Sequence, residues 1–137
     1  MSYSKVDRSF WCDSKVESWN SDVKLFALYL LTNHHSNSEG FYKLPLAYMS
    51  FVLKLEKENI RELLTQLIKD NFIAYDEQNS IILINKNLKY NNIKNKNQRI
   101  AAYKRIENLT HSYLFQKFIK IAETYDKKFA SFIKKKM

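Results

Sequence analysis

The stretch Gly40 to Ile84, GFYKLPLAYMSFVLKLEKENIRELLTQLIKDNFIAYDEQNSIILI, changes its hydrophobic period from one segment to the next, and those changes decide the fold. It opens on Phe41-Tyr42-Lys43-Leu44, a short strand candidate led in by the chain's single glycine and ended by its single proline. Pro45 suits a first helical turn, where a missing N–H is no loss, and Leu46, Met49, Val52 and Leu53 follow at helical spacing. After a turn at Lys54-Leu55, another helix is predicted from about Glu56. Its apolar residues Ile60, Leu63, Leu64, Leu67 and Ile68 fill the i, i+3, i+4, i+7, i+8 template of one buried face. Past Asp70-Asn71 the period becomes strand-like: Phe72 to Tyr75, four polar residues, then Ser80 to Ile84. Two β-rich runs joined by so short a polar connection predict a hairpin.

Upstream, Ser21 to Thr32 is too densely apolar for a surface stripe and reads as a central buried helix, with Asn20 or Ser21 as N-cap. Helix, strand, helix, turn, helix, hairpin is the order of a winged helix-turn-helix, with Gly40 to Leu44 as the third strand beside the hairpin. Downstream, Asn85 to Asn97 holds six asparagines and reads as a linker. A short basic helix follows from Gln98 to Asn108. From Ser112 onward, Leu114, Phe118, Ile121, Tyr125, Phe129 and Phe132 recur at three- and four-residue intervals along one longer helix. The predicted fold class is therefore α+β, mainly α: a winged helix-turn-helix over residues 1–92, and a basic linker with a helical extension over residues 93–137.

The length of 137 residues fits one domain, and 45% apolar residues can fill its core. Cys12, the lone cysteine, has no disulfide partner, so a reducing, cytoplasmic setting is expected. No segment has the apolar length of a membrane span or a signal peptide. With Gly40 the only glycine, phosphate-cradling loops of the Walker or dinucleotide type are excluded.

Charge divides sharply along the chain. Residues 1–85 carry nine Lys and Arg against eleven Asp and Glu, a net of −2, whereas residues 86–137 carry fourteen against three, a net of +11. Between Lys86 and Arg105 stand seven basic residues and no acid, interleaved with Tyr90, Tyr103 and asparagines. Such a run gains affinity for nucleic acid by displacing condensed counterions, while Asn and Tyr can hydrogen-bond phosphates or bases. A flexible, solvated charge run is the competing reading.

The segments SFWCDSKVESW at 9–19, LYLLTNHHSN at 28–37, GFY at 40–42 and INKNLKYN at 84–91 together resemble the N-terminal domain of phage replication initiators, the replisome organiser or DnaD-like family. The resemblance covers about residues 8–92. It implies a winged-helix domain acting at a phage or mobile-element origin, where such proteins bind DNA and self-associate to help load the replicative helicase. Members continue into a second helical domain, whereas this chain carries one helical extension.

In a winged helix the third helix enters the major groove, which makes Lys57, Asn59, Arg61, Thr65, Gln66 and Lys69 candidate nucleic-acid contacts. Glu58 and Glu62 on the same face oppose that role. The hairpin and the segment after it, with Lys86, Lys89, Tyr90, Lys94, Lys96 and Arg99, are expected to track a phosphate backbone beside the hairpin. Trp11, Trp19 and Phe10 are read as core rather than as stacking platforms. Leu114, Phe118, Ile121, Tyr125, Phe129 and Phe132 are read as a self-association or partner-docking stripe, the alternative being an intramolecular cap. His34-His35 does not make a metal site, no cofactor is implied, and no catalytic constellation stands out, so an enzyme is not expected. The expectation is a DNA-binding protein acting in replication initiation or transcriptional control, with double-stranded DNA and a second copy of the chain in a homodimer as candidate partners. The alternative is a protein-interaction module that binds and inhibits a host replication or defence factor.

Overall fold

In the computed structural model, which describes residues 3–137, the β-rich runs form one antiparallel sheet of β1 (Phe41–Lys43), β2 (Ile73–Asp76) and β3 (Ile81–Ile84). β3 lies in the middle, pairing Phe41 with Leu83 on one side and Ile73 with Ile84 on the other. Successive side chains alternate between faces. Tyr42, Ile73, Ile82 and Ile84 therefore join one core cluster, and Phe41, Ala74, Ile81 and Leu83 join another. All four residues of β3 are buried because both faces of the sheet are covered.

The first layer consists of α1 (Ser14–Ser18), α2 (Ser21–Thr32), α3 (Leu46–Leu53) and α4 (Lys57–Lys69). Of the two N-cap candidates, Asn20 caps α2 by accepting the Val23 N–H at 3.0 Å, and Ser21 is the first helical residue. α3 begins after Pro45 and ends at Lys54, which takes the left-handed conformation. α4 turns Ile60, Leu64 and Leu67 inward against the sheet. Ahead of α1, Phe10 and Trp11 sit in a 3-10 turn, Arg8–Cys12, whose first N–H groups Asp7 helps satisfy. Trp19 belongs to the core, edge-on to Phe72 at 5.3 Å. Trp11 does not: it is 53% exposed, which corrects the expectation that both indoles are packed inside.

The second layer is the C-terminal part: α5 (Asn87–Tyr90), α6 (Lys96–Ile106), α7 (Leu114–Tyr125) and α8 (Lys127–Lys136). Phe118 stacks on Phe41 of the sheet with ring centroids 4.9 Å apart, and Phe129 packs edge-on to Phe118. Leu114, Phe118 and Phe129 are fully buried here, Ile121 and Tyr125 pack against the same cluster, and Phe132 meets Tyr103 edge-on. The stripe read as a self-association surface is thus an intramolecular one, covering the second face of the sheet. Each fully buried phenylalanine contributes roughly 1.5–3 kcal/mol relative to exposure, so residues 93–137 share a core with the sheet instead of standing apart from it. The predicted single helix is two. Asp126 breaks it with non-helical backbone (φ −148°, ψ 75°) and caps α8 by accepting the Phe129 N–H.

Asn85 to Asn97 is not a free linker. Leu88 and Ile93 are buried, and the Asn87 side-chain amide donates to the Ser38 carbonyl at 2.5 Å. The Ile93 N–H donates to Asp126 Oδ2 at 2.8 Å, tying the segment to the start of α8. Asn87 also explains Gly40, which has φ +69°: a Cβ there would lie 2.4 Å from the Asn87 Cβ.

Candidate nucleic-acid interface

α4 inherits its outward face from its buried stripe. With Ile60, Leu64 and Leu67 inside, Lys57, Glu58, Asn59, Arg61, Glu62, Thr65 and Lys69 are exposed. Three of the six α4 residues predicted to contact nucleic acid are already engaged. The Arg61 guanidinium donates to Glu77 of the hairpin turn at 3.0 Å, the Thr65 hydroxyl donates to the Arg61 carbonyl at 2.8 Å, and the Gln66 amide donates to Asp70 at 2.8 Å. Lys57, Asn59 and Lys69 make no side-chain hydrogen bond to another described residue. The hairpin turn, Glu77-Gln78-Asn79-Ser80, holds no cation. The surface shared by α4 and this turn presents Glu58, Glu62 and Glu77 against Lys57 and Arg61, a balance unsuited to a phosphate backbone.

The cations of the second layer lie elsewhere. β3 runs away from the hairpin turn, and at its far end the Ile84 N–H donates to the Gly40 carbonyl and the Asn85 N–H to the Phe72 carbonyl. Lys86, Lys89 and Tyr90 follow directly, so strand direction puts them at the open end of the hairpin, opposite its turn. All three are exposed, with the Lys89 ammonium 5.5 Å from the centroid of the Tyr90 ring, a cation–π distance. Lys94 and Lys96 are exposed and Arg99 is half-buried on the continuing chain. The bond from Ile93 to Asp126 ties the residue before Lys94 to the start of α8, which carries Lys127 and Lys128. Within the window from Lys86 to Arg105, only Arg105 forms an ion pair with a described residue.

That exception is structural. Glu39, with no exposed side-chain surface, accepts both prongs of the Arg105 fork, from Nε at 2.7 Å and from the terminal nitrogen at 2.8 Å. The pair pins α6 to the turn ahead of β1. Its hydrogen bond and its charge hold the Arg105 guanidinium above its ordinary pKa, against the opposing effect of burial. Asp76 makes a second link between layers. Burial works to raise its pKa, but donation from Asn79 and from Ser112 Oγ (2.7 Å) brings it out below the ordinary carboxylate value.

Sequence reasoning missed a concave feature next to the basic segment. The N-terminal stretch at Lys5 and Phe10, the core face of Trp19 and Phe72, and the α5 region at Lys86 and Tyr90 enclose one groove. At its floor the Trp19 indole N–H donates to Asp70 Oδ2 at 2.6 Å, and that bond, followed by the one from Gln66, holds the Asp70 carboxyl below its ordinary pKa. The signal available in the sequence was the aromatic pair Phe10-Trp11, but nothing there said which ring would face outward. His34 and His35 are exposed, with His35 edge-on to Tyr48 at 4.3 Å. Among the described residues no cluster of three or more His, Cys, Asp or Glu could hold a metal ion. None of their helices is long and apolar enough to cross a membrane. Comparison with family models, with curated proteins and with solved structures gives no match.

Proposed function

We propose that this chain is a DNA-binding winged-helix protein of a phage or mobile element, acting in replication initiation or in control of transcription. Its contact surface is the start of the second layer, α5 to α6, and not α4 with the hairpin turn. The order of the first-layer elements and the β1-β3-β2 sheet support the winged-helix reading. The resemblance over residues 8–92 supports the replication reading. One observation carries the proposal: Lys86, Lys89, Lys94 and Lys96 are exposed and outside every ion pair found among the described residues, in a segment held down by Leu88 and Ile93. A fixed array of free cations binds a polyanion without first ordering a loop.

The test is a salt titration of duplex binding. If each of the four lysines neutralises one phosphate, the log–log slope is about −3.6, at about −0.9 per phosphate. Affinity then falls about 150-fold between 50 and 200 mM salt. Changing all four to Glu should remove measurable binding. A variant that keeps both affinity and slope would remove the mechanism.

A second reading has its own observation. α3 exposes Phe51 (72%) and Val52 (45%), and Ile68 of α4 is also exposed, beside an α4 face of mixed charge. Those are features of a surface that docks on protein. In this reading the fold is a protein-interaction module directed at a host replication or defence factor. Co-purification of such a factor, together with no shift of any DNA fragment, would decide in its favour.

A further inference from the structure

From the groove between the N-terminal turn and α5 we infer that the protein takes an unpaired nucleobase there, so that its nucleic-acid partner is engaged where it is single-stranded. The inference rests on the polyanion reading above and adds a chemistry to it. Phosphates are served by exposed lysines alone, yet this groove offers more. Its walls are the rings of Phe10 and Tyr90, the largely buried Trp19 lies at its floor, its rim carries Lys5 and Lys86, and Asp7 stands at the same opening.

Each part matches a part of a nucleotide. Aromatic walls stack on the face of any base, which makes such a platform tolerant of sequence. Lys5 and Lys86 come from opposite sides, one from the N-terminal stretch and one from the end of β3, so a strand with its base inserted would run a phosphate past each. Asp7 is already engaged by Ser9, whose N–H it accepts at 2.8 Å. Tyr90 is 49% exposed and already carries the Lys89 ammonium near its ring, so stacking on it adds to an existing cation–π contact. Trp11 stands edge-on to Phe10 at 5.2 Å and faces solvent, a second ring for the neighbouring base. Double-stranded DNA cannot use this groove, since its bases are stacked on one another. The deoxy or ribo character of the strand is not set by these residues, because none of the matches involves the sugar.

The experiment compares four ligands on the full chain by fluorescence anisotropy at fixed salt: an oligodeoxythymidine, the oligouridine of equal length, an abasic deoxyribose-phosphate strand of equal length, and a duplex. The base-bearing strands should bind at least about tenfold more tightly than the abasic one, the DNA and RNA arms telling which sugar is preferred. Tyr90→Ala should remove that difference. In a Trp11→Phe background, where Trp19 is the remaining indole, the base-bearing strand should quench or shift the Trp19 emission and the abasic strand should not. Equal affinity of base-bearing and abasic strands would overturn the groove assignment while leaving the polyanion reading in place. Failure of all four ligands to bind would overturn both.

Discussion

Arg105→Met is expected to destabilise the fold by about 2–3 kcal/mol without weakening DNA binding. The Arg105 side chain is 45% exposed, whereas that of Glu39 has no exposed surface. Removing one partner of a buried pair typically costs about 3–5 kcal/mol, because the other charge stays buried and uncompensated. Solvent at the half-exposed guanidinium screens part of the attraction, which places the effect at or below the lower end of that range. After the substitution Glu39 keeps one donor, Ser38 Oγ at 3.3 Å, and its second oxygen loses the donor that satisfied it. Urea denaturation followed by tryptophan fluorescence should show a lower midpoint at an unchanged slope. Adding Glu39→Gln should recover at least half of the loss, since the double variant buries no charge. The salt slope of duplex binding should stay as in the parent, because the Arg105 fork is already occupied. A change below about 0.5 kcal/mol, or a double variant as unstable as the single one, would refute this account of the pair.

Asp126→Ala removes the N-cap of α8 and the acceptor of the Ile93 N–H together. A lost cap costs about 1 kcal/mol and a buried N–H left unpaired about 1–3 kcal/mol, so about 2–4 kcal/mol is expected in denaturation. The Ile93 amide should lose protection in hydrogen exchange, and parental protection there would count against the tie. For Asp70, the indole of Trp19 and then the amide of Gln66 hold the folded pKa below the ordinary 3.8. The carboxylate therefore stabilises the fold above that value, and the contribution disappears as pH falls through the lower folded one. Asp70→Asn should flatten the stability profile on the acid side, and a profile that stays as steep would show that Asp70 does not set it.

The parts of the molecule legible from the sequence are those where local period and partner are the same question. The α4 stripe predicts that Ile60, Leu64 and Leu67 turn inward, though Ile68, in the same template, is exposed, and the change from helical period to β-rich runs after Asp70 predicts β2 and β3 to within a residue or two. Partners were not legible. The recurrence of Leu114, Phe118 and Phe129 requires burial but does not say against what, and a second copy and the same chain's sheet satisfy it equally. The deciding signal was in β3: Ile81-Ile82-Leu83-Ile84 has no polar alternation, as expected only where both faces are covered. The break at Asp126 is hidden in the sequence because the three- and four-residue spacing continues across it, from Tyr125 to Phe129, while the helical backbone does not.

The same geometry fixes where the charge can act. A residue that follows an antiparallel strand emerges one strand length from the turn that preceded it. β3 thereby separates the acidic α4 and hairpin-turn surface from the basic α5 surface. Covering the second face of the sheet does the rest. Leu88 and Ile93 are buried under the cations, and this converts an asparagine-rich run from a tether into a fixed strip. Mutations that loosen that anchorage should therefore weaken polyanion binding even when they remove no charge. Ile93→Ala is expected to lower duplex affinity with the salt slope kept, since the same lysines remain and only the ordering of their backbone is lost.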